Sequence, residues 1–424
     1  MSQELIPIQP ARRTASVKEY YFSIKNREIA ALNAARKARG EDPVINLGIG
    51  SPDGTPPVAS LQTLAATAVR DGVHGYQSYT GIPELRAAFA RWYSRWYGVE
   101  LNPDTDIQPL TGSKEGILLT SLTFLNPGDK VLVPDPGYPT YTSATLMCEA
   151  EVLKYDLLEE SGWYPDFDAL ERMDLRGVKL MWTNYPGMPT GARPTRELYE
   201  RIVAFGRKHN ILIINDNPYS FIRNDHPMSI LSIPGARACC LEMNSLSKAH
   251  NMAGWRLGMI AGEPAFIREI LKVKSQMDSG IFRPLQLAAV EALDQGPEWF
   301  SALNAEYRRR AAVAYRIMDV LGAKYDPDSA GLFVWGRIPC AKPAASAHGA
   351  HQYAARCAKP APPAHEGGCA SERLSDKLLH EAGVFLTPGF IFGKNGENYI
   401  RISLCADVPT LERALAKIQA VCAR

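Results

Sequence analysis

No run of apolar residues in this sequence approaches the length needed to cross a bilayer. Neither charge sign is in surplus: 47 Lys and Arg against 45 Asp and Glu leave a formal net charge of +2, which marks neither a nucleic-acid nor a membrane surface. No basic helix-turn-helix segment is visible, and there is no internal repeat. The first strand is not followed by a G-x-G-x-x-G turn, which argues against a nucleotide-binding Rossmann enzyme. The eight cysteines are scattered without tight ligand spacing. Cys239 and Cys240 are adjacent in an apolar run and read as core residues rather than a disulfide. Met1 to Arg13 is polar and contains proline, without the apolar core of a signal peptide, so a cytoplasmic protein is expected. At 424 residues the chain can bury a large core, expected as one big domain plus a smaller one.

What is present is an alternation of strands and helices. Residues 14–40 read as a helix ending at Gly40. Val44 to Asn46 then runs into a Gly/Pro loop holding Gly48 and Gly50, where a backbone can approach a ligand closely, although a plain turn explains the same residues. Tyr76 and Tyr79 precede a helix whose Leu85, Phe89, Trp92 and Trp96 fall at helical spacing. Short strands are expected at 107–110, 130–134, 179–183, 211–214 and 238–243, with helices between them, as a mostly parallel α/β sheet requires. Residues 264–279, 281–293 and 298–321 read as helices, the last with Arg308-Arg309-Arg310 on a solvated face. Strands at 332–338, 384–386 and 399–404 and helices at 374–381 and 411–421 complete a smaller unit. Residues 340–372 are rich in Ala and Pro, lack periodicity and read as a flexible insertion. A zinc site is the sharper reading of its His348, His351, His365, Cys340, Cys357 and Cys369. Their spacings lack the paired two-residue gap of structural zinc motifs, so no metal is expected.

Several loops carry groups that answer the demands of one cofactor, pyridoxal 5'-phosphate (PLP). Lys248, between Ser245-Leu246-Ser247 and Arg256-Leu257-Gly258, offers an amine for a Schiff base. Asp216, which follows four aliphatics and Asn215, is costly to bury without a partner and suits a protonated ring nitrogen. Tyr219 suits the ring oxygen, and Tyr138, in a proline-stiffened loop, suits the ring face. Gly112, Ser113 and Lys114 open a helix and, with Ser245, Ser247 and Arg256, form a phosphate seat. Each of these groups has a commoner explanation alone, such as a cap or a turn. All except Arg256 lie on loops just after expected strands, the edge of a parallel sheet where ligands bind.

Taken together, Ser245-Leu246-Ser247-Lys248 through Arg256-Leu257-Gly258, Asp216-Asn217-Pro218-Tyr219 and Pro189-Thr190-Gly191 resemble the fold-type I PLP-dependent aminotransferases of class I/II. The motif style is similar to the LL-diaminopimelate and alanine/aspartate-type branches. The resemblance spans roughly residues 40–338 and 374–420. It implies an α/β fold with a mostly parallel sheet and helices on both faces, plus a smaller α+β domain. The division expected is an N-terminal segment 1–45 packing with the small domain, a large domain 46–293 and a small domain 294–424. It also implies a homodimer with shared active sites. Tyr76 would reach the neighbouring subunit's cofactor phosphate, Gly50 would touch the substrate carboxylate through its backbone, and Arg401 would clamp that carboxylate bidentately. The activity implied is transfer of an amino group from an L-amino acid to a 2-keto acid by ping-pong kinetics. Other PLP chemistry on the same scaffold, such as a C–S β-lyase or an aminocyclopropane-carboxylate-type synthase, is the main alternative, and a non-enzymatic PLP-binding regulator a lesser one.

The chain departs from the family pattern at Met188, where the loop usually has an Asn whose amide points at the ring oxygen. Losing that donor is expected to raise the pKa at the Schiff-base link. Asn184, four residues upstream, is a second donor whose direction the sequence leaves open. Arg283, before Pro284, reads as a surface arginine, with binding of a distal acidic group as the alternative.

Overall fold

In a computed structural model, residues 8–339 and 368–423 are described. A seven-stranded sheet forms the centre, in the order Ile107–Leu110, Gly258–Gly262, Cys240–Ser245, Leu212–Asp216, Val178–Thr183, Lys130–Asp135 and Glu151–Asp156. All strands are parallel except Gly258–Gly262, which is antiparallel to both neighbours.

Strand side chains alternate between two cores, as a pleated sheet covered on both faces demands. Leu132, Met181 and Ile213 join one cluster, with Phe89 and Tyr93 of the helix Pro83–Tyr97 and Ile202 and Phe205 of the helix Arg196–His209. Val131, Val133, Leu180, Trp182 and Ile214 face the other, against Ile117 and Leu119 of Ser113–Phe124 and Ile267 and Ile270 of Pro264–Lys274. Helix ends follow local chemistry. Pro83 starts its helix and Gly98, at φ 63, ends it in the left-handed region. Thr195 caps the next by accepting from Leu198 N at 3.1 Å.

A four-stranded antiparallel sheet forms the smaller unit, in the order Thr387–Pro388, Tyr399–Ser403, Phe333–Arg337 and Lys324–Tyr325. Ile45–Asn46 pairs in parallel with Val384–Phe385. Ile29 of the helix Tyr21–Ala38 packs with Leu379 and Phe385, which ties the N-terminal segment to this unit.

The structure corrects four expectations. Residues 14–40 are not one helix: a 3-10 turn, Arg12–Ser16, is separated from Tyr21–Ala38 by an extended stretch ending at Tyr20. Pro284 lies in the first turn of Arg283–Leu293, where its missing N–H is harmless, so that helix starts at 283 rather than 281. The three consecutive arginines do not share a solvated face. Arg308 and Arg309 are exposed, but Arg310 is buried, with Nη1 bonded to Asp53 Oδ1 and Leu404 O and Nε to Glu306 Oε1. Ala370–Lys377 is helical, so the expected insertion ends before 370, and its remainder, residues 340–367, lies outside the described residues. Cys239 and Cys240 are buried free thiols with sulfurs 3.8 Å apart, as a core reading requires. Among the described residues, no helix is long and apolar enough to cross a membrane.

Candidate active site

Five strands end at one edge of the large sheet, and the loops that leave them converge. Ile107–Leu110 leads to Gly112 and Ser113, Lys130–Asp135 to Tyr138, Val178–Thr183 to Asn184, Leu212–Asp216 to Tyr219, and Cys240–Ser245 to Lys248. Arg256 precedes a strand instead. That strand runs antiparallel, so its beginning lies at the same edge, with Gly258 in register with Leu110 and Ser245. These loops surround a cavity of about 530 Å³, within the range of small-molecule sites, roughly 300–1,000 Å³. Its lining includes Gly50, Ser113, Lys114, Tyr138, Asn184, Met188, Asp216, Tyr219, Ser245, Ser247, Lys248, Arg256 and Arg401. Gly112 lies behind Arg256. Its φ is 84, and a Cβ there would collide with the Arg256 guanidinium.

Asp216 is buried. Its Oδ2 accepts the Tyr141 hydroxyl at 2.9 Å, while Oδ1 has no hydrogen-bond partner among the described residues. Burial pushes this carboxyl up to about 7, against the Tyr141 hydrogen bond, which lowers it. Tyr141 is held in turn by stacking on Trp182, with centroids 4.9 Å apart and planes 5° from parallel. On the next strand residue, Asn215 bonds Thr183, Tyr199 and the buried Glu242, which fixes the strand end that presents Asp216. Lys248 Nζ donates to Gly50 O at 2.6 Å. Burial holds its pKa below the usual lysine range, and the Arg256 and Arg401 charges lower it further. Ser245 caps the short helix Leu246–Ala249, its Oγ accepting from Ser247 N at 3.1 Å and donating to Ser247 Oγ at 2.9 Å.

Arg401 comes from the small sheet. Burial lowers it to about 10. Nη2 donates to Gly48 O at 2.9 Å, Nη1 meets Met188 Sδ at 3.4 Å, and Nε has no partner among the described residues. The guanidinium lies over the Phe333 ring, 3.9 Å from its centroid, with Phe392 at 4.8 Å and Phe22 at 5.7 Å. No carboxylate pairs with it in the described residues, so a fork of donors faces the cavity with a charge to satisfy.

Two residues singled out in the sequence are not brought into this cavity. Tyr76 lies outside the cavity and is 93% exposed. Arg283 also lies outside, paired with Glu84 at 3.4 Å, as its surface reading holds. The direction of Asn184 is now defined: Nδ2 donates to Asp216 O, and Oδ1 accepts Met188 N at 2.7 Å. Sequence reasoning missed Tyr141, Tyr20, Phe22, Asn26, Phe333 and Phe392. Tyr141 stands three residues after Tyr138, in the first turn of the helix Pro139–Met147, and Tyr20-Tyr21-Phe22 is an aromatic run in a polar segment. Phe333 and Phe392 carried no signal, because aromatic residues in or beside a strand are core by default.

The class I and II aminotransferase family model matches residues 42–418. An LL-diaminopimelate aminotransferase from Nitratidesulfovibrio vulgaris (strain DSM 19637 / Miyazaki F) is 37% identical over 96% of this chain and 98% of its own. One from Dehalococcoides mccartyi is 36% identical over 96% and 97%. Among solved structures, substrate-bound BacF from Bacillus subtilis aligns at a TM-score of 0.85 with 32% identity, covering 98% of each chain. With the parallel sheet and the cavity at its edge, these matches establish that the chain belongs to the class I and II aminotransferases.

Proposed function

We propose that this aminotransferase works with PLP linked at Lys248, moving an amino group between an L-amino acid and a 2-keto acid. The buried Asp216 carries the reading: it shares the cavity with Lys248 and has an oxygen without a partner among the described residues. A protonated ring nitrogen is the cation that would satisfy that oxygen and favour the ionised carboxylate. When bound, the cofactor supplies an electron-withdrawing ring that stabilises negative charge developing at the substrate Cα.

The chain's own residues bind, orient and move a proton. Ser113, Lys114, Ser245, Ser247 and Arg256, with the N–H groups at the start of Ser113–Phe124, would hold the phosphate. Tyr138 would cover a ring face, and Tyr219 would donate to the ring oxygen. Arg401 would take the substrate α-carboxylate with its fork, beside the Gly50 backbone, and so fix the direction of the Cα–H bond. Lys248, kept neutral more easily by its lowered pKa, would take up and return the proton at the substrate Cα. The keto acid leaves before the second substrate enters.

The reading extends to a homodimer in which the partner's Tyr76 reaches the phosphate, supported by the exposure of that ring away from its own cavity. It takes residues 46–293 as the large domain and 294–424 as the small one. The relatives' name makes LL-diaminopimelate one candidate substrate. Lys248→Ala tests the core of the proposal. Borohydride reduction followed by peptide mass spectrometry is expected to place the cofactor on Lys248 in the wild type and on no residue of the variant. Transamination is expected to fall by roughly 10²–10⁴-fold or more. A variant that turns over at the normal rate would remove Lys248 from the chemistry.

A further inference from the structure

The loop after Ile45–Asn46 is held carbonyl by carbonyl. Leu47 O accepts Ser403 N at 2.8 Å, Gly48 O accepts Arg401 Nη2 at 2.9 Å, Ile49 O accepts Ser403 Oγ at 2.5 Å and Gly50 O accepts Lys248 Nζ at 2.6 Å. Farther along, Thr55 O accepts Asn251 Nδ2 at 3.1 Å. Between these anchors stands Asp53, where Pro52 limits the slack between the Gly50 backbone and the Asp53 carboxylate. Asp53 Oδ1 accepts Arg310 Nη1 at 2.6 Å, and the same nitrogen donates to Leu404 O at 3.0 Å. Leu404 directly follows the strand Tyr399–Ser403, which carries Arg401. Arg310 itself is buried on the helix Pro297–Val320, its Nε bonded to Glu306 Oε1 at 2.8 Å. One nitrogen therefore joins the two elements that the proposed function gives to the α-carboxylate, the Gly50 backbone and Arg401. Both also rest on one ring: Phe333 lies 3.9 Å from the guanidinium, and a Cβ at Gly50 would collide with it.

Resting on the aminotransferase reading, we propose that Asp53 and Arg310 are positioning residues for the α-carboxylate: their ion pair holds the Gly50 loop in place against Arg401 and so sets how readily a carboxylate is taken up. Neither residue lines the cavity, so both act through the loop. A buried arginine needs acceptors wherever it lies, and Glu306 and Leu404 O already give it two. The bond to Asp53 reaches further, into a loop whose acid is 39% exposed and stays solvated without it. What that bond adds is order in the loop, offsetting the backbone entropy that a fixed Gly50 costs. The bond gains weight when the site is occupied. Linking Lys248 to the cofactor takes its ammonium from Gly50 O, and a carboxylate on Arg401 competes with Gly48 O for the same donors. The Arg310–Asp53 pair takes part in neither exchange and persists through both.

The test uses the cofactor-loaded enzyme and two small reagents that attack the Lys248 link, aminooxyacetate and O-methylhydroxylamine. Only the first carries a carboxylate, so the ratio of their second-order rate constants, read from the cofactor absorbance, reports carboxylate uptake. A general loss of folded or loaded protein slows both alike and leaves the ratio unmoved. Asp53→Ala is expected to lower the ratio by about tenfold, less than the roughly 100-fold that a shift of about 1 Å can cost, because the Ser403 and Asn251 bonds remain. Asp53→Asn keeps an oxygen for Arg310 Nη1 and is expected to recover most of the ratio. Hydrogen exchange read by mass spectrometry is expected to speed up in Asp53→Ala peptides covering residues 47–53 and not in those covering the helix Ser113–Phe124. An Asp53→Ala ratio within about twofold of wild type, unchanged exchange at 47–53, or an Asp53→Asn ratio no better than that of Asp53→Ala overturns the positioning role and leaves the aminotransferase reading standing. A wild-type spectrum that neither reagent changes overturns that reading itself.

Discussion

At position 188 a thioether stands beside Arg401, where relatives of this fold place an amide. Sulfur is a weak acceptor and no donor, so Met188 gives the guanidinium a soft contact at 3.4 Å and offers nothing to an anionic ring oxygen. The nearby Asn184 commits one of its two Nδ2 protons to Asp216 O, while its Oδ1 accepts Met188 N. Tyr219 would then be the chief donor to the ring oxygen. A hydrogen bond to a charged oxygen contributes about 1.5–3 kcal/mol, which corresponds to roughly one to two pKa units. Met188→Asn is therefore expected to lower the pKa at the Lys248 link by that amount, read from the cofactor absorbance against pH. An unchanged value would show that residue 188 does not face the ring oxygen. The same cavity shows why Asp216 was legible in the sequence and Tyr141 was not. An acid after four aliphatics is anomalous on any reading, whereas a tyrosine in a proline-rich loop is not.

One turn contributes several of the bonds that join the two sheets. Asp135, at the end of Lys130–Asp135, accepts from Lys394 N and Asn395 N, both at 3.0 Å. Asn395 Nδ2 returns bonds to Asp135 O at 3.0 Å and Asp156 Oδ1 at 2.7 Å, and Gly137 N donates to Phe392 O at 2.8 Å. Gly393, at φ 141, permits the approach: a Cβ there would collide with the Asp135 carboxylate. The strand end that leads to Tyr138 thus also holds the segment bearing Phe392 against Arg401. Asp135→Ala removes the acceptor from two partly exposed N–H groups and is expected to cost about 1–3 kcal/mol, measured by urea unfolding. An unaltered midpoint would assign the turn to Asn395 alone. Within single elements, period and capping made most helices and strands readable. Their bounds shifted where a proline or an extended stretch set the start, as at Arg283 and Tyr21.

On the scale of the whole molecule, Val58 is 65% exposed, Val69 83% and Tyr76 93%. In the proposed homodimer each Tyr76 would reach toward the partner's site. Refolding a mixture of Tyr76→Ala and Lys248→Ala proteins tests this. In a mixed dimer, one site combines an intact Lys248 with an intact Tyr76 from the other subunit. Activity above that of either variant alone is expected, and none would place Tyr76 outside the partner's site.

The sequence by itself determined the residues of the sheet edge. A lysine, an aspartate, a tyrosine and a glycine-led helix start each stand at or after a strand end, and strand positions are written in local hydrophobic pattern. Arg256 was readable only beside the Lys248 motif and Arg401 only through the family resemblance, because their placement depends on an antiparallel strand and on a second sheet folding against the first. What only the tertiary structure decided is the wall opposite the cofactor. Tyr20, Phe22, Phe333 and Phe392 come from segments up to about 370 residues apart along the chain. No local period encodes their meeting, since long-range packing selects among aromatic residues that any core would accept.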